Sequence, residues 1–105
     1  MKFEINNREW EIIEVEGNWL LNEYNKYYDG GIFCFGLTKY DKQIIYLNQD
    51  MKYDVKKQTL YHELMHCYIW NYVAKEMEIS EEALCDISAN SHDMIHKIVK
   101  DYFIQ

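Results

Sequence analysis

The chain has 105 residues, close to the usual size of one domain, so we expect a single domain over residues 1–105. Hydrophobic residues make up 49% and charged residues 28%, which excludes an intrinsically disordered chain. Eleven Lys and Arg against eighteen Asp and Glu give a formal net charge of -7, which repels a phosphate backbone and an anionic membrane surface. The sequence therefore predicts neither a nucleic-acid partner nor a membrane partner.

The cellular compartment is indicated by the N-terminus and by the cysteines. No stretch approaches the roughly 18 consecutive apolar residues of a spanning helix, and the first residues lack the apolar core of a signal peptide. The three cysteines, Cys34, Cys67 and Cys85, form no C-x-x-C pair, which predicts free thiols. We expect a cytoplasmic protein in which all three thiols are buried.

The first third of the chain alternates apolar and polar side chains, the period of a half-buried strand. A hairpin is predicted to turn at Asn6 and Asn7, because asparagine tolerates left-handed backbone angles. A short helix over residues 19–28 follows. The apolar runs 32–35 and 44–47 flank a polar connection and predict a second hairpin.

From Asp54 onward the pattern becomes helical, and no glycine occurs in that half of the chain. Two helices are predicted, over residues 54–78 and 80–102, with Ser80 as the cap of the second. The first helix is apolar almost all round between residues 60 and 73, as in a central helix packed on several sides. The expected fold is α+β: a small N-terminal antiparallel sheet packed on two long C-terminal helices.

The pattern His62-Glu63-x-x-His66 lies inside the apolar part of the first predicted helix. Residues four apart on a helix are neighbours, so both imidazoles can reach one ion while Glu63 flanks the same site. Zn²⁺ suits imidazole ligands and at catalytic sites keeps one position for water, from which a carboxylate such as Glu63 can take a proton. Inside a buried helix these three polar groups need partners, and a shared metal supplies one.

The start of the second predicted helix carries Glu82-x-x-x-Asp86. With both motifs, residues 44–93 resemble the gluzincin metallopeptidases, and more narrowly the compact ImmA/IrrE-type and phage-encoded minimal metallopeptidases. The resemblance implies a zinc-dependent peptidase acting on a protein or peptide, with Glu82 as third ligand and Asp86 orienting a ligand histidine. It also implies that the strand over residues 44–48 is the edge that pairs with extended substrate, and the alternative is an ordinary strand paired within the sheet. Glu81, about 100° away on the helix, is the alternative ligand.

Other readings of these residues stay open. A zinc-stabilised binding module or pseudo-peptidase would occupy a partner without hydrolysis, and a purely structural domain would bind no metal. His92 and His96 repeat the histidine spacing, but lie about 15–21 Å along the helix from Glu82 and are expected to be solvated. Cys67 diverges by about 100° from the adjacent His66, so we expect a core residue rather than a nucleophile.

Overall fold

A computed structural model describes residues 1–28, 30–73 and 80–104 of the chain. Its elements are, in chain order, β1 (Lys2–Ile5), β2 (Arg8–Val15), α1 (Gly17–Asn25), β3 (Gly36–Lys39), β4 (Ile44–Asn48), α2 (Tyr53–Tyr72) and α3 (Glu81–Ile104). The predicted α+β class is confirmed: a four-stranded sheet comes first and two long helices follow. In the described part of the chain, no helix is both long and apolar enough to cross a membrane.

The four strands lie side by side in the order β1-β2-β4-β3. The predicted turn between β1 and β2 is confirmed, with Asn6 at φ 53° and Asn7 at φ 62°, the left-handed angles that a two-residue hairpin turn requires. β2 and β4 are parallel, with Ile12 opposite Ile45, while the other neighbouring strands are antiparallel. The sheet is therefore mixed rather than wholly antiparallel, because α1 and the segment after it form the crossover that parallel strands need.

The second hairpin is confirmed, but its first strand lies later in the chain than predicted. The apolar run 32–35 is outside the sheet, and β3 occupies Gly36–Lys39. The turn into β4 includes Gln43 at φ 55°. Lys39 was expected in a polar connection, yet its side chain is buried, with Nζ donating to the Tyr27 hydroxyl at 2.7 Å. The hydrogen bond to Tyr27 thus lets a lysine be buried in a strand, and the local sequence pattern does not reveal this partner.

The bounds of the helices agree with the sequence predictions in part. α1 begins and ends earlier than the predicted range 19–28. α2 ends at Tyr72, because Val73 has an extended backbone, and predicted helical residues 74–78 lie outside the described residues. α3 begins where predicted, since the Ala83 N–H donates to Ser80 Oγ at 3.1 Å.

One core joins the sheet to both long helices. α2 contributes Leu60, Leu64 and Cys67, which are all 0% exposed, and its other contacts are with β3, β4 and α3. The central position predicted for this helix is confirmed. The buried residues of this core are Phe3, Ile5, Trp10, Ile12, Ile45, Leu47, Leu60, Leu64, Cys67, Ile95, Ile98 and Val99. A smaller cluster of Leu20, Cys34, Leu37 and Tyr46 lies beneath α1.

The two halves of α3 differ in burial. In the first half, residues 81–90, every side chain is exposed or half-buried, whereas the second half buries Ser91, Ile95, Ile98 and Val99. Cys85 lies in the first half and is exposed, while Cys34 and Cys67 are buried. All three thiols are free, as predicted, but the expectation that all three are buried is wrong at Cys85, because no core residue lies on its turn of the helix.

Candidate functional site

His62 and His66 lie one turn apart on the exposed face of α2. Their Nε2 atoms are 3.2 Å apart, and their ring centroids are 4.9 Å apart. At this separation one nitrogen can donate to the other, or both can bind one ion. Two imidazole nitrogens about 2.0–2.1 Å from one tetrahedral zinc ion are about 3.3 Å from each other. The histidine pair therefore fits two of the ligand positions of zinc.

The burial of the three motif residues differs from the expectation. Glu63 is buried, at 7% exposure, but both imidazoles are exposed. The prediction that all three polar groups lie inside a buried helix is wrong for the histidines, because α2 buries only the stripe that contains Leu60, Glu63 and Leu64. The histidines need no internal partner, and an ion held by them would be open to a substrate.

The Glu63 side chain is directed toward the sheet. The Thr38 hydroxyl on β3 donates to Glu63 Oε2 at 2.9 Å. A Cβ added at Gly36 would lie 3.1 Å from Glu63 Cγ and 2.9 Å from Thr59 Cγ2, so only glycine allows β3 to approach α2 this closely. Neither Gly36 nor Thr38 was predicted from the sequence as a site residue. The glycine beside an apolar run was a usable signal, since it indicates a close backbone approach.

A cavity of about 410 Å³ opens beside His62 and Glu63. The other residues lining it are Tyr24, Phe33, Cys34, Phe35, Gly36, Val55, Gln58 and Thr59. Rings and aliphatic groups thus form most of its wall, with an imidazole and a carboxylate on one side, as in pockets that take apolar groups. Burial, and secondarily the Glu63 carboxylate, raises the pKa of the Cys34 thiol, so this cysteine is protonated and a poor nucleophile.

The predicted acidic ligands are elsewhere. Glu81, Glu82 and Asp86 are exposed at the start of α3. Within residues 1–28, 30–73 and 80–104, no three His, Cys, Asp or Glu side chains form a group that could hold a metal ion. The structure therefore brings His62 and His66 together without bringing either glutamate to them.

The edge strand next to the site is β3 and not β4. β4 lies between β2 and β3, so residues 44–48 have a hydrogen-bonded strand on each side and cannot accept another. The expectation that these residues pair with substrate is wrong and the alternative of an ordinary paired strand is confirmed, because the crossover through α1 inserts the strand preceding α2 into the middle of the sheet. In the described structure, β3 has only one neighbouring strand, and it borders the cavity through Gly36.

The remaining candidates behave as expected. His92 and His96 are exposed, and their rings are stacked with centroids 5.7 Å apart. His96 Nδ1 also lies 2.8 Å from the Tyr61 hydroxyl, a contact between α2 and α3 that the sequence did not predict. Cys67 is fully buried, and burial raises the pKa of its thiol, which confirms a core residue.

Comparisons with protein-family models, with curated proteins and with solved structures found no match to this chain. Its function must therefore be inferred from the groups of the site. These groups are a pair of converging imidazoles, a buried carboxylate next to them in the chain, and an apolar cavity beside an edge strand. They comprise two imidazoles that could serve as metal ligands, a carboxylate that could accept a proton and a place for an apolar group.

Proposed function

We propose that this protein is a cytoplasmic zinc-dependent metallopeptidase, which hydrolyses a peptide bond in a protein or peptide substrate. The observation that supports this most is the 3.2 Å separation of the His62 and His66 Nε2 atoms, beside the buried carboxylate of Glu63. His62 and His66 would hold the ion. When bound, Zn²⁺ supplies an acidified water and polarises the substrate carbonyl.

Glu63 is the proposed general base. It lines the same cavity as His62, and burial together with the Thr38 hydroxyl restricts the orientations of its carboxylate. Oε2 accepts one hydrogen bond, from Thr38, which leaves the carboxylate with lone pairs that could receive a proton during hydrolysis. A positioned carboxylate of this kind contributes about 100- to 10,000-fold to a rate.

The substrate we propose is an extended segment with a large apolar side chain. In the part of the chain that the structure describes, β3 has a single neighbouring strand, so an extended peptide could add to its other edge as a further strand. Phe33, Phe35 and Val55 give the adjoining cavity an apolar wall suited to such a side chain. The net charge of -7 disfavours acidic substrates.

Glu82 stays the predicted third ligand, with Glu81 as the alternative and Asp86 as the predicted orienting residue. These predictions are tested by the zinc affinities of Glu82→Ala, Glu81→Ala and Asp86→Ala. If zinc affinity falls in Glu82→Ala and not in Glu81→Ala, the result supports Glu82 as the third ligand. Unchanged affinity in Glu82→Ala contradicts its role as a ligand.

The test of the peptidase is hydrolysis of a peptide mixture by zinc-loaded protein, with products identified by mass spectrometry. We expect cleavage next to large apolar side chains in preference to acidic ones. Glu63→Gln should lower kcat by about 100- to 10,000-fold while zinc content is unchanged. Glu4→Gln removes an exposed carboxylate of β1 and should cleave like the wild type. Full activity in Glu63→Gln contradicts the assignment.

The second candidate is the zinc-stabilised binding module or pseudo-peptidase. It is favoured by the exposure of Ile32, at 92%, and of Phe33 and Phe35 at the rim of the cavity, because exposed apolar groups commonly bind partners. Glu63→Gln separates the two functions. A binding module keeps its cellular effect in this variant, whereas a peptidase loses it.

A further inference from the structure

We propose that Thr38 is a positioning residue for Glu63: its hydroxyl holds the carboxylate against the edge strand, so the location of β3 sets the direction of that carboxylate. The inference rests on the proposed function, in which Glu63 is the general base. It goes beyond that function by making the edge strand part of the machinery that orients the base.

The first observation is the hydrogen bond itself. Thr38 Oγ1 is 2.9 Å from Glu63 Oε2, and in the described part of the chain no other side chain is hydrogen-bonded to this carboxylate. A hydroxyl that donates to a shielded carboxylate forms a stronger bond than one in water. The β-branched Thr38 side chain has few rotamers, so the backbone of the strand fixes the direction of its hydroxyl.

The second observation is that β3 is held on both sides of Thr38. Gly36 packs directly on the Glu63 side chain, because a Cβ added at Gly36 would lie only 3.1 Å from Glu63 Cγ. Thr38 is paired with Ile45 of β4. Lys39 is buried, bonded to the Tyr27 hydroxyl and 3.7 Å from a Glu23 carboxylate oxygen. The hydroxyl is therefore presented to Glu63 by a strand whose position is fixed.

A link between substrate and base follows from this arrangement. An extended peptide that adds to β3 is placed in register with the strand that also presents the Thr38 hydroxyl. One strand therefore positions both the substrate and, through Thr38, the Glu63 carboxylate. Removing the hydroxyl should therefore impair turnover more than binding, because the edge and the cavity remain while the orientation of the base is lost.

The first test needs neither zinc nor activity. Difference infrared spectroscopy measures the carboxylate stretching band of Glu63, which is assigned with Glu63→Gln. Thr38→Val removes the hydroxyl at nearly constant volume and should shift the band, whereas Thr38→Ser should leave it close to its wild-type position. Thr59→Val is the matched control, because it removes a hydroxyl of the same cavity that donates to the Val55 carbonyl at 2.8 Å and not to Glu63. An unshifted band in Thr38→Val overturns the proposal, and Thr38→Ala replaces this variant if it does not fold.

The second test is kinetic, on any peptide that the wild type cleaves. Thr38→Val should lower kcat about 10- to 100-fold and change KM by less than about 2-fold, and Thr38→Ser should recover most of the loss. Unchanged kcat in Thr38→Val overturns the proposal even if the band shifts. A shifted band in a protein that cleaves nothing supports the Thr38 contact and contradicts the peptidase. If the protein is a peptidase but neither the Glu63 carboxylate band nor kcat changes in Thr38→Val, the proposed function stands and the positioning role of Thr38 is contradicted.

Discussion

The two segments that carry the predicted site are held by the fold in different ways. The α2 segment places Leu60, Leu64 and Cys67 in the core at 0% exposure, and these residues lie within or close to the histidine motif on the same helix. The first half of α3, residues 81–90, carries Glu82 and Asp86 and contains no buried side chain. One motif is therefore anchored by packing, and the other lies on a helix surface without an anchor.

The sequence of a short motif therefore predicts the relative positions of its side chains within one helix better than their positions relative to another helix. The histidines of α2 converge because the helix period alone places residues four apart side by side, and the core beneath fixes the helix. Glu82 and Asp86 share a face of α3 for the same reason. Within residues 81–90 only Ala83 and Ile87 are half-buried, so packing constrains this part of α3 less than α2, and spacing along the chain does not determine how far the two acids lie from the histidines.

The largest expected effect contrasts two leucines, one in each segment. Leu64→Ala should lower the free energy of unfolding by about 2–5 kcal/mol, because it leaves a cavity in the core. Leu84→Ala, at a position 52% exposed in the first half of α3, should change it by less than about 0.5 kcal/mol. Urea denaturation measures both. A similar loss in the two variants would show that the first half of α3 is packed like α2.

The next effect concerns the packing of β3 on α2. Gly36→Ala should cost about 1–3 kcal/mol of unfolding free energy, because the added Cβ would lie 2.9 Å from Thr59 Cγ2. Gly30→Asn is the comparison without a steric clash, since nothing lies within 4 Å there; its cost reflects only the φ of +81°, which asparagine adopts more readily than most residues. Wild-type stability in Gly36→Ala would contradict the close approach of the strand to the helix.

The cap of α3 tests the unanchored segment directly. Ser80→Ala removes the acceptor of the Ala83 N–H and should cost about 1 kcal/mol, while Ser80→Asp keeps an acceptor there. We expect hydrogen exchange to speed up in residues 83–90 and to stay unchanged in α2, because a segment that contains no fully buried side chain opens locally. Equal acceleration in both helices would mean that they unfold as one unit.

The smallest effect concerns the second half of α3. There the Tyr102 hydroxyl donates a hydrogen bond to the Glu14 carboxylate of β2. Burial disfavours the charge of Glu14, but hydrogen bonds from Lys56 and Tyr102 outweigh it and hold the pKa of Glu14 below its usual 4.5. A lowered pKa in the folded state contributes stability that is lost as the pH falls through that lower value. Below pH 4.5, wild-type stability should fall more steeply than that of Glu14→Gln, by less than about 1 kcal/mol in total. Thermal unfolding measured below pH 4.5 checks this prediction. The same loss of stability with falling pH in the wild type and in Glu14→Gln would contradict it.

Local signals account for the parts of the fold that the sequence predicted. Two asparagines set the first hairpin turn, and Ser80 sets the start of α3, because each acts on its own backbone. The strand order, the parallel pairing of β2 with β4 and the position of β3 depend on contacts between distant residues. The run 32–35 has the composition of a strand, yet Ile32 is 92% exposed, since β3 pairs through the residues that follow.

The site divides in the same way. The helix period predicted that His62 and His66 would meet. The contact from Thr38 to Glu63 joins residues 25 positions apart and depends on β3 reaching the sheet edge, which no local pattern encodes. The aromatic wall of the cavity depends on the same crossover.

The most direct test of the proposed zinc site at His62 and His66 is a calorimetric zinc titration of the wild type, His66→Ala and His92→Ala. His92→Ala is the matched control, because it removes one member of the other exposed histidine pair with the same spacing. We expect one tightly bound zinc per chain in the wild type and in His92→Ala, and loss of tight binding in His66→Ala. No stoichiometric zinc in the wild type, or unchanged affinity in His66→Ala, would contradict a metal centre at His62 and His66.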